Sequence, residues 1–191
     1  INPYGKSKMM VENILSDYNH AYGLNFISLR YFNAAGADHN LEIGEEHDPE
    51  THLIPIVLDV ALGKRKEIEV FGTDYDTIDG TAVRDYIHVS DIADAHIKCL
   101  TSILNNRKSK IYNLGNGDGF SVFEIIRAAE QITNRSIEVK KAERRIGDPE
   151  ALIGDFSKIN KELSWKPKYS KIKSIVKTAW EYHKKVNKVE K

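Results

Sequence analysis

Cysteine is almost absent from this chain: one, Cys99, in 191 residues. A disulfide within the chain is therefore excluded, which fits a reducing compartment, the cytosol. Cys99 lies in the apolar helical pattern AHIKCL and reads as a small core residue rather than a nucleophile. Long apolar runs are also missing, and none approaches the roughly 20 residues that a helix needs to span a bilayer. Nor is there an excess of charge of one sign. Lys plus Arg and Asp plus Glu both number 28, so no overall basic footprint points to nucleic acid. Repeats, low-complexity tracts and clear linkers are lacking too.

What is present is unevenly spread. Residues 158–191 carry eleven Lys against three Glu, a local net of +8, and the other 157 residues have a net of −8. The lysine-rich end reads as a solvated helix face, with a docking surface for something acidic as the alternative.

The apolar pattern predicts a helix over 4–22, with Pro3 in its first turn and Gly23 at its end. FISLRYF (26–32) reads as a strand buried on both faces, as in a parallel sheet. A long polar loop follows over 33–51, and a loop of that length is usually functional. Further helices are expected over 52–63, over 90–104 with Ser90 as N-cap, after the capping box Ser121/Glu124, over FSKINKEL, and over 171–187. The last carries an apolar stripe of Ile172, Ile175, Val176, Ala179, Trp180 and His183. Strands are expected at IEVFG, VRDYIHV, KIYNLG and SIEVKKA. Alternating strands and helices argue for an α/β fold.

Two stretches imitate sites. GNGDG (115–119) follows a strand and precedes a helix but does not fit G-x-G-x-x-G, so it reads as a turn into the Ser121 cap. HDPETH (47–52) puts two His and two carboxylates within six residues. It is not H-E-x-x-H, and Pro49 excludes a regular helix through it, so no metal is expected there.

The chain opens INPYGKSK, with Tyr4 and Lys8 at i and i+4. On a helix they share a face. An ammonium beside a phenol favours the phenolate, and a tyrosine tuned in that way can act as a base. The spacing alone is common in surface helices. Its context is more specific: NPYGKSKMMVENIL followed by LRYFNAAGA resembles the extended short-chain dehydrogenase/reductase family. HLIPIVLDVALGKR, VFGTDYDTIDGTAVRDYIHVSDIADAH, YNLGNGDGFSV and RRIGDPEAL carry the resemblance over nearly the whole chain. They narrow it to enzymes that epimerise sugar nucleotides, with DGTAVRDYIHV the most specific piece.

The resemblance implies the latter part of a Rossmann-like parallel sheet plus a small α/β substrate-binding lobe. Residues 1–50 and 83–120 are expected on the Rossmann side, and 51–82 and 121–191 mostly in the substrate lobe. It implies a C-terminal part of a longer enzyme whose glycine-rich NAD-binding unit lies upstream. The implied reaction interconverts UDP-glucose and UDP-galactose at sugar C4 through bound NAD, in a cytoplasmic homodimer, with the chain alone inactive. Tyr4 is then the acid/base, Lys8 holds the nicotinamide ribose, and Tyr31 packs near the nicotinamide. Arg84 and Arg145 meet the UDP diphosphate, which suits planar guanidinium groups. Asn33 contacts a phosphate, Asp148 accepts from the uridine ribose, and Phe71 and Tyr86 contact the nucleotide. Thr51-His52 before Leu53 stands where the best-known bacterial pattern has an asparagine pair, which puts the role of His52 in doubt. Leu152 stands where some relatives have a tyrosine, and is expected to leave room for N-acetylated UDP-hexoses.

For several of these residues a plainer role is available: Arg84 paired with Asp85, Arg145 solvated beside Arg144, Asp148 as a turn residue before Pro149, and Tyr31 as core. Two other readings stay open. One is a different enzyme of the same family, such as a 4,6-dehydratase. The other is a nucleotide-sugar-binding module without catalysis.

Overall fold

The computed structural model describes residues 3–188, so the first two residues of the opening motif and the last three of the lysine-rich end lie outside the described residues. Helix α1 (Pro3–Tyr22) covers the expected first helix. Strand β1 (Ile27–Tyr31) follows and continues into β2 (Asn33–Ala35). β2 takes the first residues of the stretch expected to be all loop. Then come α2 (Leu53–Ala61), β3 (Ile68–Phe71), β4 (Val83–His88), α3 (Val89–Asn106), β5 (Lys110–Leu114) and β6 (Gly119–Ser121). The chain ends with α4 (Val122–Thr133), β7 (Val139–Ala142), the two-residue β8 (Ala151–Leu152), α5 (Ser157–Leu163) and α6 (Ile172–Val186).

The pairing places β4 at the centre. Its second half runs parallel to β2, with Asn33 opposite Tyr86 and Ala35 opposite His88. Its first half lies between antiparallel β6 and parallel β8. β1 pairs with β5, and β3 with β7, both in parallel. Parallel strands joined through helices are the mark of α/β architecture.

Two cores hold these pieces. The larger packs α2, α4 and α6 against β3 and β4, with Val57, Ile125, Ile175 and Val176 fully buried. Each such side chain contributes about 1.5–3 kcal/mol. The stripe expected on the last helix does this work through Ile175, Val176 and Trp180. The second core gathers Ile87, Ile92, Ala95, Cys99, Tyr112 and Leu114 under Ile159 and Trp165. Cys99 is buried as expected, and burial pushes its thiol up to about 11.

Two local expectations are corrected. β1 is not buried on both faces: Ile27, Ser28 and Leu29 are half-covered, and Arg30 and Tyr31 are exposed. Among the described residues its only strand neighbour is β5. α1 likewise buries no residue, leaving Met9, Met10, Val11 and Ile14 more than half exposed. The cap of α3 is His88 rather than Ser90. The His88 imidazole Nδ1 accepts the Ser90 N–H at 3.1 Å. The capping box at Ser121 and Glu124 forms as expected, with both reciprocal hydrogen bonds present.

Candidate active site

Tyr4 and Lys8 occupy the first two turns of α1. The Lys8 ammonium lies 5.2 Å from the centre of the Tyr4 ring, and Tyr4 is 71% exposed. The tyrosine–lysine pair therefore stands together and open, where a ligand can reach both. Glu12, one turn further, ties the helix to β1: it accepts from Ser28 Oγ at 2.9 Å and from Arg30 Nε at 2.7 Å. That guanidinium holds the Glu12 carboxyl below its usual range. Tyr31, at the carboxyl end of β1, is 52% exposed among the described residues. Ligands gather at the carboxyl ends of parallel strands.

A second group forms where β4 meets β8. The register sets Arg84 opposite Leu152, which is half exposed. The same pairing brings up the loop before β8, so Arg84 Nη2 binds the Asp148 carboxylate and also donates to Pro149 O at 2.7 Å. Nη1 donates to the Val83 carbonyl at 2.7 Å. Arg84 thus does not pair with its neighbour Asp85. Arg145 stacks its guanidinium 3.9 Å from the centre of Phe71, at the end of β3, and so is not merely solvated. Arg84, Asp148, Leu152, Phe71 and Arg145 come from positions up to 81 residues apart in sequence. Asn33 is exposed and pairs with Tyr86, two residues beyond Arg84 along β4. Tyr86 itself is 6% exposed and belongs to the larger core, where burial pushes its phenol up.

Asp85, which the sequence marks only as the neighbour of Arg84, shapes this region. Its carboxylate is fully buried and accepts from Asn116 N at 2.8 Å, Gly154 N at 3.0 Å and Gly117 N at 3.3 Å. Burial holds it above the usual carboxylate range despite those hydrogen bonds. This is what the GNGDG turn does: it wraps an internal carboxylate. A Cβ on Gly115 would lie 2.6 Å from both Asp85 Oδ2 and the Gly154 Cα, so the close approach requires glycine. Alternation along β4 was the available signal, since a charge at an inward position needs a partner.

His52 leads into α2 as its N-cap residue without a side-chain cap bond. Its Nδ1 lies 2.8 Å from Glu45 and 2.9 Å from Glu50. Leu53 opens the helix, half-buried against the larger core. Burial pushes the Glu45 carboxyl up. Burial also acts on Glu50, but hydrogen bonds from the His52 and Thr51 amides and the His52 ring outweigh it and leave Glu50 lowered.

Residues 1–115 match the NAD dependent epimerase/dehydratase family. The chain is 49% identical over 183 residues to a UDP-glucose 4-epimerase of Streptococcus mutans, covering 96% of this chain and 55% of that protein. A UDP-glucose 4-epimerase from Brucella ovis, solved in complex with NAD, matches at a TM-score of 0.91 and 45% identity, over 96% of this chain and 56% of that one. One from Bifidobacterium longum, solved with NAD+ and UDP, matches at a TM-score of 0.87 and 40% identity, over 96% and 55%. The chain thus spans about half the length of the relatives it matches.

Proposed function

The chain belongs to the NAD dependent epimerase/dehydratase family, and from that premise we propose that it serves the interconversion of UDP-glucose and UDP-galactose at the sugar C4. The observation that carries this reading is the Tyr4–Lys8 pair, exposed on one face of α1 with the ammonium 5.2 Å from the phenol ring. NAD fits the exposed cation and aromatic surface at this end of the chain: Lys8 would hold the nicotinamide ribose hydroxyls and Tyr31 would lie near the nicotinamide. When bound, NAD supplies a hydride acceptor and donor that is regenerated in each turnover.

Tyr4 takes the proton from the 4-hydroxyl and later returns it at the same phenolic oxygen. The Lys8 ammonium stands over the same ring, 5.2 Å from its centre. Arg84 and Arg145 meet the diphosphate, and Asp148 accepts from the uridine ribose. Phe71 offers its ring to the nucleotide and Asn33 its amide to a phosphate. Tyr86 acts from beneath, as the buried floor of the same strand. His52 and Leu53 border the sugar side. The β4–β8 register supports this assignment, because it draws Arg84, Asp148 and Leu152 into one patch. On this reading 1–50 and 83–120 belong approximately to the cofactor side, and 51–82 and 121–191 mostly to the substrate side. A homodimer acting in the cytoplasm belongs to the same reading, and the lone buried thiol fits that compartment. Among the described residues no helix is long and apolar enough to cross a membrane.

The test is conversion of UDP-galactose with NAD present. It is run with the chain alone and with the chain supplemented by the part of the Streptococcus mutans relative that it does not cover. Conversion by the supplemented chain, abolished in Tyr4→Phe, is the expected result. Conversion that survives Tyr4→Phe refutes the assigned base. UDP binding by calorimetry without any conversion moves the reading to a nucleotide-sugar-binding module.

A further inference from the structure

In sequence the loop between β2 and α2 is a polar stretch in which no metal is expected. In the folded chain it bends at Asp48 and Pro49 and returns on itself. Glu45 and His47 lie before the bend, Glu50 and His52 after it. In each pair the i, i+2 spacing puts both side chains on one side of an extended segment. Glu45, outside the HDPETH motif, takes the place that Asp48 held in the sequence pattern. One ligand atom from each of the four residues lies within 4.8 Å of every other.

The distances separate two explanations. His52 Nδ1 lies 2.8 Å from Glu45 and 2.9 Å from Glu50, which a shared imidazole proton explains. His47 Nδ1 lies 3.4 Å from Glu45 Oε1 and 3.8 Å from Glu50 Oε2. Those lengths exceed an ordinary N–H···O bond. The 3.4 Å separation suits two ligands of one ion, since metal–ligand bonds of about 2.0–2.2 Å put the vertices of a tetrahedron ~3.3–3.6 Å apart, and the 3.8 Å separation lies just beyond that range. The chemistry of the set agrees. Two imidazoles and two carboxylates are borderline donors that favour zinc, whereas magnesium and calcium favour oxygen alone. Two carboxylates also balance the charge of a dication. Glu50 is already oriented, because its Oε1 accepts from the amides of Thr51 at 2.7 Å and His52 at 2.8 Å, as supporting contacts do in metal sites.

We propose that Glu45, His47, Glu50 and His52 form a four-ligand zinc site that clasps the β2–α2 loop ahead of Leu53. With four protein ligands the site is closed and structural, leaving no position for a reacting water. It is distinct from the Tyr4–Lys8 pair and needs neither nucleotide nor NAD.

The test uses the untagged chain, stripped with a chelator and titrated calorimetrically with zinc chloride in the absence of nucleotide. One zinc per chain is expected, with affinity falling about 100-fold or more in His47→Ala and in His52→Ala. Cobalt should give the intense visible bands of a tetrahedral complex, lost in both variants, and magnesium should give no heat. A metal-free thermal melt reports whether each variant is folded. If His52→Ala is not, His47→Ala decides, since that side chain is exposed. No stoichiometric zinc uptake, uptake unchanged in His47→Ala, or magnesium binding as tight as zinc overturns the proposal.

Discussion

Arg84 holds Asp148, Pro149 and Val83 at once, and on the proposed reading an incoming diphosphate would compete for the same guanidinium. A planar fork can release one partner and keep the others, which a point-charge ammonium does not reproduce. Arg84→Lys is therefore expected to weaken UDP binding by about tenfold, or ~1.4 kcal/mol, measured by calorimetry. Unchanged affinity removes Arg84 from the site. Leu152, opposite Arg84 in the register and half exposed, sets the room beside it. Leu152→Tyr is expected to lower the ratio of kcat/KM for UDP-N-acetylglucosamine to that for UDP-glucose by at least about tenfold, since filling space opposes the larger sugar. Assays with the supplemented chain decide it, and equal exclusion of the acetylated sugar by the unmodified protein ends the idea of a roomy pocket.

Strand β4 depends on what surrounds Asp85. Its carboxylate satisfies the amides of Asn116, Gly117 and Gly154, which belong to the turn after β5 and the segment after β8. Asp85→Ala leaves those buried donors unpaired, at about 1–3 kcal/mol each. We expect the urea midpoint to fall by an amount equivalent to about 3 kcal/mol or more, and UDP binding to weaken with it, because β8 then loses its anchor beside Arg84. A stability loss with intact UDP affinity would separate the anchor from the site. The capping box of α4 has a further partner, since Ser121 Oγ also donates to Asp79 at 2.6 Å. Ser121→Ala should cost about 1–2 kcal/mol in the same measurement.

At the scale of the whole chain, His88 joins β4, α3 and α6. It is fully buried, bonds Thr178 Oγ1 through Nε2 at 2.9 Å, and lies against His39 and Tyr169. Burial, aided by His39, holds its pKa below the usual value, while Asp91 and Asp38 oppose that shift. The unfolded chain takes up this proton near pH 6.5, and the folded chain only at lower pH. Unfolding then binds protons in that window, so stability is present above about pH 6.5 and is lost as pH falls below it. The urea midpoint should decline between pH 7 and 5.5, and His88→Gln should flatten that decline. An unchanged slope would show that His88 does not drive it.

The sequence by itself determined most elements and the Tyr4–Lys8 pair. Helical spacing, the Ser121/Glu124 box and the stripe from Ile172 to Trp180 are local patterns, set by a few residues of one segment. Tyr4 and Lys8 meet because one helical turn joins them. Only the tertiary structure decided that Arg84 binds Asp148 rather than Asp85, that Asp85 is internal, and that Tyr86 lies in the core. It also decided that His88 caps α3 and that Glu45 joins His47, Glu50 and His52. Those outcomes depend on strand register and on a loop closing across many residues. Neither is encoded in the spacing of adjacent side chains, because register is fixed by which faces find a core.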